Sequence, residues 1–245
     1  ALLEGRQTLP GLETLPPRLA DFNAIDAAVN TGQLRFGMAG TPQRMVLVGH
    51  SLGGLAALLW AGANVEDGLA QRCRAGLRSI PVLDSSFLLQ CQLTELDLPQ
   101  LSSPSSLDAV LVMNSFGSLL WGENGLADIA VPVLSIGGSL DLITPPVTEQ
   151  LLPFRQFRDR RSRLAVVEGA SHFSAVGISR DQALMRLGSD LVGRNPAQVQ
   201  QALIQLHVQF LNSIEQGGTP AKGLLFDGGV PTYVLEPAAA AELRT

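Results

Sequence analysis

Charge is scarce in this chain. Asp, Glu, Lys and Arg make up 16% of its 245 residues, against 46% apolar residues. That balance argues against wholesale disorder and supplies enough apolar material for a large core. The net charge of −5 argues weakly against nucleic acid and anionic membrane as partners. No apolar run reaches the roughly 18 residues of a membrane span, which predicts no integral membrane segment. The N-terminal stretch ALLEGRQTLP lacks a signal-peptide pattern, and a chain that starts with alanine reads as a trimmed product. Cysteine is nearly absent, with Cys73 and Cys91 alone. Two cysteines make neither a disulfide framework nor a zinc cluster. Two readings stay open: a pair of buried thiols, or one bridge across the intervening loop, which would suggest an exported protein. The length suits one sizeable domain or a domain with a small cap.

What is present is strongly patterned. Residues 16–32 predict a helix, with Leu19, Phe22, Ile25 and Val29 repeating every three or four positions and Gly32 to end it. RMVLVG at 44–49 reads as a strand buried on both faces. LGGLAALLWAGAN follows as an apolar helix. Residues 65–106 lose this regularity and read as an inserted cap. From Leu107 the strands resume: LDAVLVMN, then VPVLSIGG at 131–138, then SRLAVVEG at 162–169. TPPVTEQLLPF can begin a helix, since proline suits a first turn. Residues 196–216 form the clearest helix, with Asn195 as cap and Val199, Leu203, Leu206, Phe210 and Ile214 along one face. AAAAELRT reads either as a helical tail or as an irregular end. The expectation is an α/β fold with a mainly parallel sheet flanked by helices.

Gly49-His50-Ser51-Leu52-Gly53 fits the pattern G-x-S-x-G. The letters alone are weak evidence, but here they fall at a strand-to-helix turn. A serine there takes a strained backbone and needs small neighbours, which Gly49 and Gly53 supply; Gly54 lets the helix pack closely. The helix N-terminus favours the negative charge of an oxyanion.

A serine hydroxyl needs a base, and the base needs an orienting acid. Three histidines exist. His50 adjoins the serine and is expected to point elsewhere. His207 lies in the last helix beside its apolar face, a structural position. His172, in EGASHFSAVG just past a strand, is the candidate base. Asp141, three residues past VPVLSIGG, is the candidate acid. Asp84 competes from within the irregular insert, and Asp128 precedes its strand and should face the opposite sheet edge. The order Ser51, Asp141, His172 is the serine–acid–histidine order of this architecture.

With these sites placed, the chain resembles the α/β-hydrolase superfamily over nearly its whole length, as a single domain with a cap-like insert at 65–106. It is most similar to the dienelactone-hydrolase-like and platelet-activating-factor-acetylhydrolase-like branch. GLETLPPRL, GHSLGG, SSFLLQC, VLVMNSFGSLLWG, VPVLSIGGSLDLITPP and EGASHF carry the match. The resemblance implies a serine esterase that hydrolyses a carboxylic ester with no metal or organic cofactor. One departure stands out. Four strands normally precede the elbow strand in that fold, and here only residues 1–43 do. The loop after the third strand usually donates a second oxyanion amide; Leu52, directly after the nucleophile, supplies one. The expectation is a piece of a longer protein, and the alternative is a natural truncation.

Phe87, Leu88, Leu89, Trp121 and Phe173 suggest an apolar pocket for a small ester with a hydrophobic acyl or alkyl group. The arginines at 155, 158, 160, 161 and 163 read as a solvated face. Rival functions are acyl transfer with the same three residues and a non-catalytic binding protein on the same fold. Oligomeric state and compartment are not written in the sequence.

Overall fold

The computed structural model describes residues 14–34, 44–78, 85–96, 106–176 and 193–243, together with Leu98, Leu101, Ser103 and Pro104. Among the described residues six strands form one sheet: β1 (Met45–His50), β2 (Leu107–Met113), β3 (Val133–Gly138), β4 (Arg163–Val167), β5 (Gly223–Leu225) and β6 (Thr232–Leu235). Their spatial order is β1-β2-β3-β4-β6-β5. The first four run parallel, and β6 and β5 add an antiparallel edge. This is an α/β protein with a mostly parallel sheet.

The near-continuous apolar strands follow from burial on both faces. Alternate residues leave a strand on opposite sides. Val110, Val112, Val133 and Leu164 enter one core with α1 (Leu15–Asn30) and α2 (Leu52–Trp60). Ala109, Leu111, Leu134, Ile136, Ala165 and Val167 enter a second core. Its lid is a helix at Pro196–Glu215, whose Val199, Leu203, Leu206, Phe210 and Ile214 are all buried. Asn195 starts that helix through its backbone carbonyl, which accepts from the Val199 amide at 3.1 Å. Its side chain makes no cap bond.

β1 departs from the sequence expectation. Leu47 is buried, but Val46 and Val48 are 38% and 60% exposed. Among the described residues β1 pairs only with β2, and the second core does not extend across its outer face. Ile25 departs likewise: it is half exposed, while Leu15, Leu19 and Val29 face the core.

Among its described residues the region read as irregular carries two helices, α3 (Leu69–Arg78) and α4 (Ser85–Gln92), with a 3₁₀ turn at Leu93–Glu95. Cys73 and Cys91 form a disulfide between these helices, so the bridged reading of the pair holds. A buried carboxylate ties the insert to the sheet side. Glu149 accepts from Gln90 Nε2 at 3.0 Å, from Ser118 Oγ at 2.6 Å and from the amides of Gly117 and Ser118. Ser118 opens α5 (Ser118–Trp121), so one side chain joins α4 to α5.

TPPVTEQLLPF is helical, but as a π-helical turn at Pro146–Leu151 that runs into a single turn, α6 (Leu152–Phe154). The helix at Pro196–Glu215 is α7, and Pro237–Glu242 forms a short helix, α8. Arg163 overturns the reading of its arginine run as wholly solvated. It is 1% exposed, and its guanidinium donates to the carbonyls of Pro220, Ala221, Arg160 and Ser162. Four acceptors answer the cost of burying that cation.

Candidate active site

The site lies where β1, β3 and β4 end. Ser51 follows β1 directly, with φ 53° and ψ −120°. A non-glycine residue holds such a conformation at a cost of about 1–3 kcal/mol, only where its surroundings enforce it. Here its amide donates to the Met113 carbonyl at 2.9 Å and its carbonyl accepts from the Leu55 amide at 3.1 Å. Gly49 is required by space, since a β-carbon there would lie 2.3 Å from the Gly53 carbonyl oxygen. Gly54 is required too, with its β-carbon position 2.9 Å from Ser115 Cβ. Gly53 is not: a β-carbon there meets nothing within 4 Å. The close neighbour is thus Gly54, not Gly53.

Asp141 is 2% exposed. Its Oδ1 accepts from the amides of Ile143 and Thr144, at 2.8 and 2.9 Å. Its Oδ2 accepts from Thr144 Oγ1 at 2.7 Å and faces His172 Nδ1 at 2.9 Å. A carboxylate can only accept, so Nδ1 carries the imidazole proton. The bare Nε2 then faces Ser51 Oγ at 2.9 Å and can accept its hydrogen. The three side chains proposed from sequence therefore form one hydrogen-bonded row. Thr144 carries no motif signal in the sequence, but the turn around it does: an aspartate that accepts from the amide two residues on, as Asp141 does from Ile143, is a common local pairing.

Leu52 is the first residue of α2, so its N–H is among those that a helix leaves without an internal acceptor. Asp128 is exposed, 3.4 Å from Asn64 Nδ2, and plays no part in this row. Asp84 lies outside the described residues. His207 is half-buried, bonded through Nδ1 to the Leu203 carbonyl at 2.6 Å. His50 makes its bond to the base rather than to Ser51: its ring centre lies 5.0 Å from that of His172, and its Nε2 lies 2.7 Å from the His172 carbonyl oxygen. Burial pushes the His50 imidazole below its ordinary pKa, although the bond to His172 works the other way.

The expected pocket residues are dispersed. Phe173 stands edge-on to His172, ring centres 5.1 Å apart. Leu88 is half exposed on α4, and Phe87 packs beside Gly76. Trp121 is 1% exposed in the main core, where it packs beside a void of about 10 Å³. Phe87 also lines a groove of about 660 Å³ with Leu119, Leu152 and Phe157, which none of Ser51, Asp141 and His172 borders. Among the described residues no three His, Cys, Asp or Glu side chains are grouped to hold a metal ion, and no helix is long and apolar enough to cross a membrane.

No protein-family model and no curated protein matches the chain.

Proposed function

We propose that this chain carries the reactive site of a serine hydrolase of the α/β-hydrolase type, cleaving a carboxylic ester with a hydrophobic acyl or alkyl group. The observation that carries this reading is the row Ser51 Oγ–His172 Nε2 and His172 Nδ1–Asp141 Oδ2, 2.9 Å at each step. Ser51 attacks the ester carbonyl while His172 Nε2 takes its proton. Asp141 holds the tautomer and stabilises the imidazolium. The Leu52 amide faces the developing oxyanion at the N-terminus of α2. Collapse of the tetrahedral intermediate breaks the ester C–O bond, and the proton on His172 goes to the leaving alkoxide. Water, deprotonated by the same imidazole, then releases the acid from Ser51.

Phe173 beside the base supports an apolar substrate group. The Cys73–Cys91 bridge supports an oxidising compartment. The test is a fluorophosphonate probe on the full-length protein, with the adduct mapped by mass spectrometry. Label on Ser51, absent in Ser51→Ala, is the expected result. A full-length protein that stays unlabelled would refute the hydrolase reading.

A further inference from the structure

Asn114 is the third residue outside glycine with a positive φ among those described, at 46°, beside Ser51 and Asn195. It follows β2 directly and is 4% exposed. Asparagine enters this left-handed region more readily than most residues, but glycine does so at less cost. The side chain therefore calls for a reason, and its bonds supply one. Oδ1 accepts from the Gly138 amide at 3.0 Å, at the end of β3. Nδ2 donates to the carbonyls of Ser171 and His172, at 3.1 and 3.0 Å. The Asn114 backbone carbonyl accepts from Thr144 Oγ1 at 3.1 Å, the hydroxyl that also contacts Asp141.

One residue thus joins the end of β2 to the end of β3, to the turn that holds the acid and to the loop that holds the base. From the other side, His50 at the end of β1 donates through Nε2 to the same His172 carbonyl, at 2.7 Å. Two donors from two strands converge on the main chain of His172. Its imidazole must meet Ser51 and Asp141 together, and a displacement of about 1 Å at a reacting group can cost on the order of a hundredfold in rate.

We propose that Asn114 and His50 are positioning residues for the base, clamping the His172 carbonyl so that its imidazole stands between Ser51 and Asp141. The inference rests on the hydrolase reading for its kinetic consequence, but the clamp itself can be read without turnover. His50 acts as a neutral donor here, and a second proton is not needed for the bond.

Four variants of the full-length protein test this. Asn114→Gly keeps the backbone conformation and removes the side chain. Asn114→Asp keeps the acceptor for Gly138 and loses both N–H donors. His50→Phe keeps a planar ring without a donor, and His50→Gln keeps a donor of similar reach. The expected result is a kcat on a short nitrophenyl ester lower by roughly ten- to a hundredfold in the first three, with KM held and most of the rate restored by His50→Gln. The second readout is the His172 Nδ1–H proton in the NMR spectrum, identified by its loss in His172→Gln. It should stand far downfield in the wild type, weaken in both Asn114 variants and in His50→Phe, and return in His50→Gln. An unchanged resonance in both Asn114 variants, or equal losses in His50→Phe and His50→Gln, would overturn the proposal. Absence of ester turnover and of probe labelling in the wild type would instead strike the hydrolase reading, leaving the NMR comparison to decide the clamp.

Discussion

Gly49 and Gly53 face each other across the turn that carries Ser51, and they are not equivalent. A β-carbon on Gly49 would strike the Gly53 carbonyl oxygen at 2.3 Å, whereas one on Gly53 would enter open space. Gly49→Ala must shift backbone, at a cost of about 1–3 kcal/mol or more, and should displace Ser51. Gly53→Ala lies inside α2 and should stabilise by about 0.5–1 kcal/mol. Denaturant midpoints of the two variants check this, and a Gly49→Ala protein as stable as wild type would contradict it.

Asp141→Asn should leave the fold intact and remove most of the activity. The new amide places a donor against Thr144 Oγ1 or His172 Nδ1, and the imidazole loses its fixed tautomer. A loss in kcat on the order of 10³–10⁴ is expected for this change in a serine–histidine–acid site. Steady-state rates on a nitrophenyl ester measure it; a loss under tenfold would remove Asp141 from the mechanism.

The bridge between Cys73 and Cys91 spans 18 positions in sequence. Closing a loop of that size in the unfolded chain corresponds to about 3 kcal/mol of stability in the chain-entropy account. Replacing both cysteines with alanine should lower the urea midpoint accordingly. Added reductant should shift the wild type and leave the double variant unmoved.

Acid should destabilise the protein through two histidines. Burial holds His50 and His207 below their ordinary value of 6.5, and the bonds to His172 and Leu203 oppose this only in part. Depressed folded values mean that the unfolded chain takes up protons first. Their stabilising contribution is complete above about pH 6.5 and declines as pH falls below it. Urea midpoints at about pH 8 and pH 5 should show the drop, and His207→Gln should make it smaller. A midpoint that rises on acidification, or an unaltered slope in the variant, would count against this account.

Two residues expected at the pocket should behave in opposite ways. Trp121→Ala opens a void in the core and should cost about 3–5 kcal/mol. Leu88→Ala, on the exposed side of α4, should change stability by less than about 0.5 kcal/mol. Thermal melts of the pair distinguish core from surface.

Local pattern was enough to place the parallel strands, the apolar stripe of α7 and the position of Ser51, Asp141 and His172 just beyond strand ends. Burial on two faces writes itself as a continuous apolar run, and a helix face as a repeat of three and four, so neighbouring residues carry that information. β5 and β6 left no comparable signal. They have three and four residues and lie at an antiparallel edge, where one exposed face breaks the run.

What only the tertiary structure decided concerns residues far apart in the chain. Ring nitrogen and carbonyl meet across 122 positions at His50 and His172, Asn114 joins the ends of β2 and β3 to the loop that holds the base, and among the described residues the second core stops at β2, leaving Val46 and Val48 of β1 exposed. Trp121 and Arg163 are buried through neighbours no periodicity names. Periodicity tells which side of its own element a residue occupies; the group it then meets depends on how the elements are stacked, and that is settled by packing the whole chain.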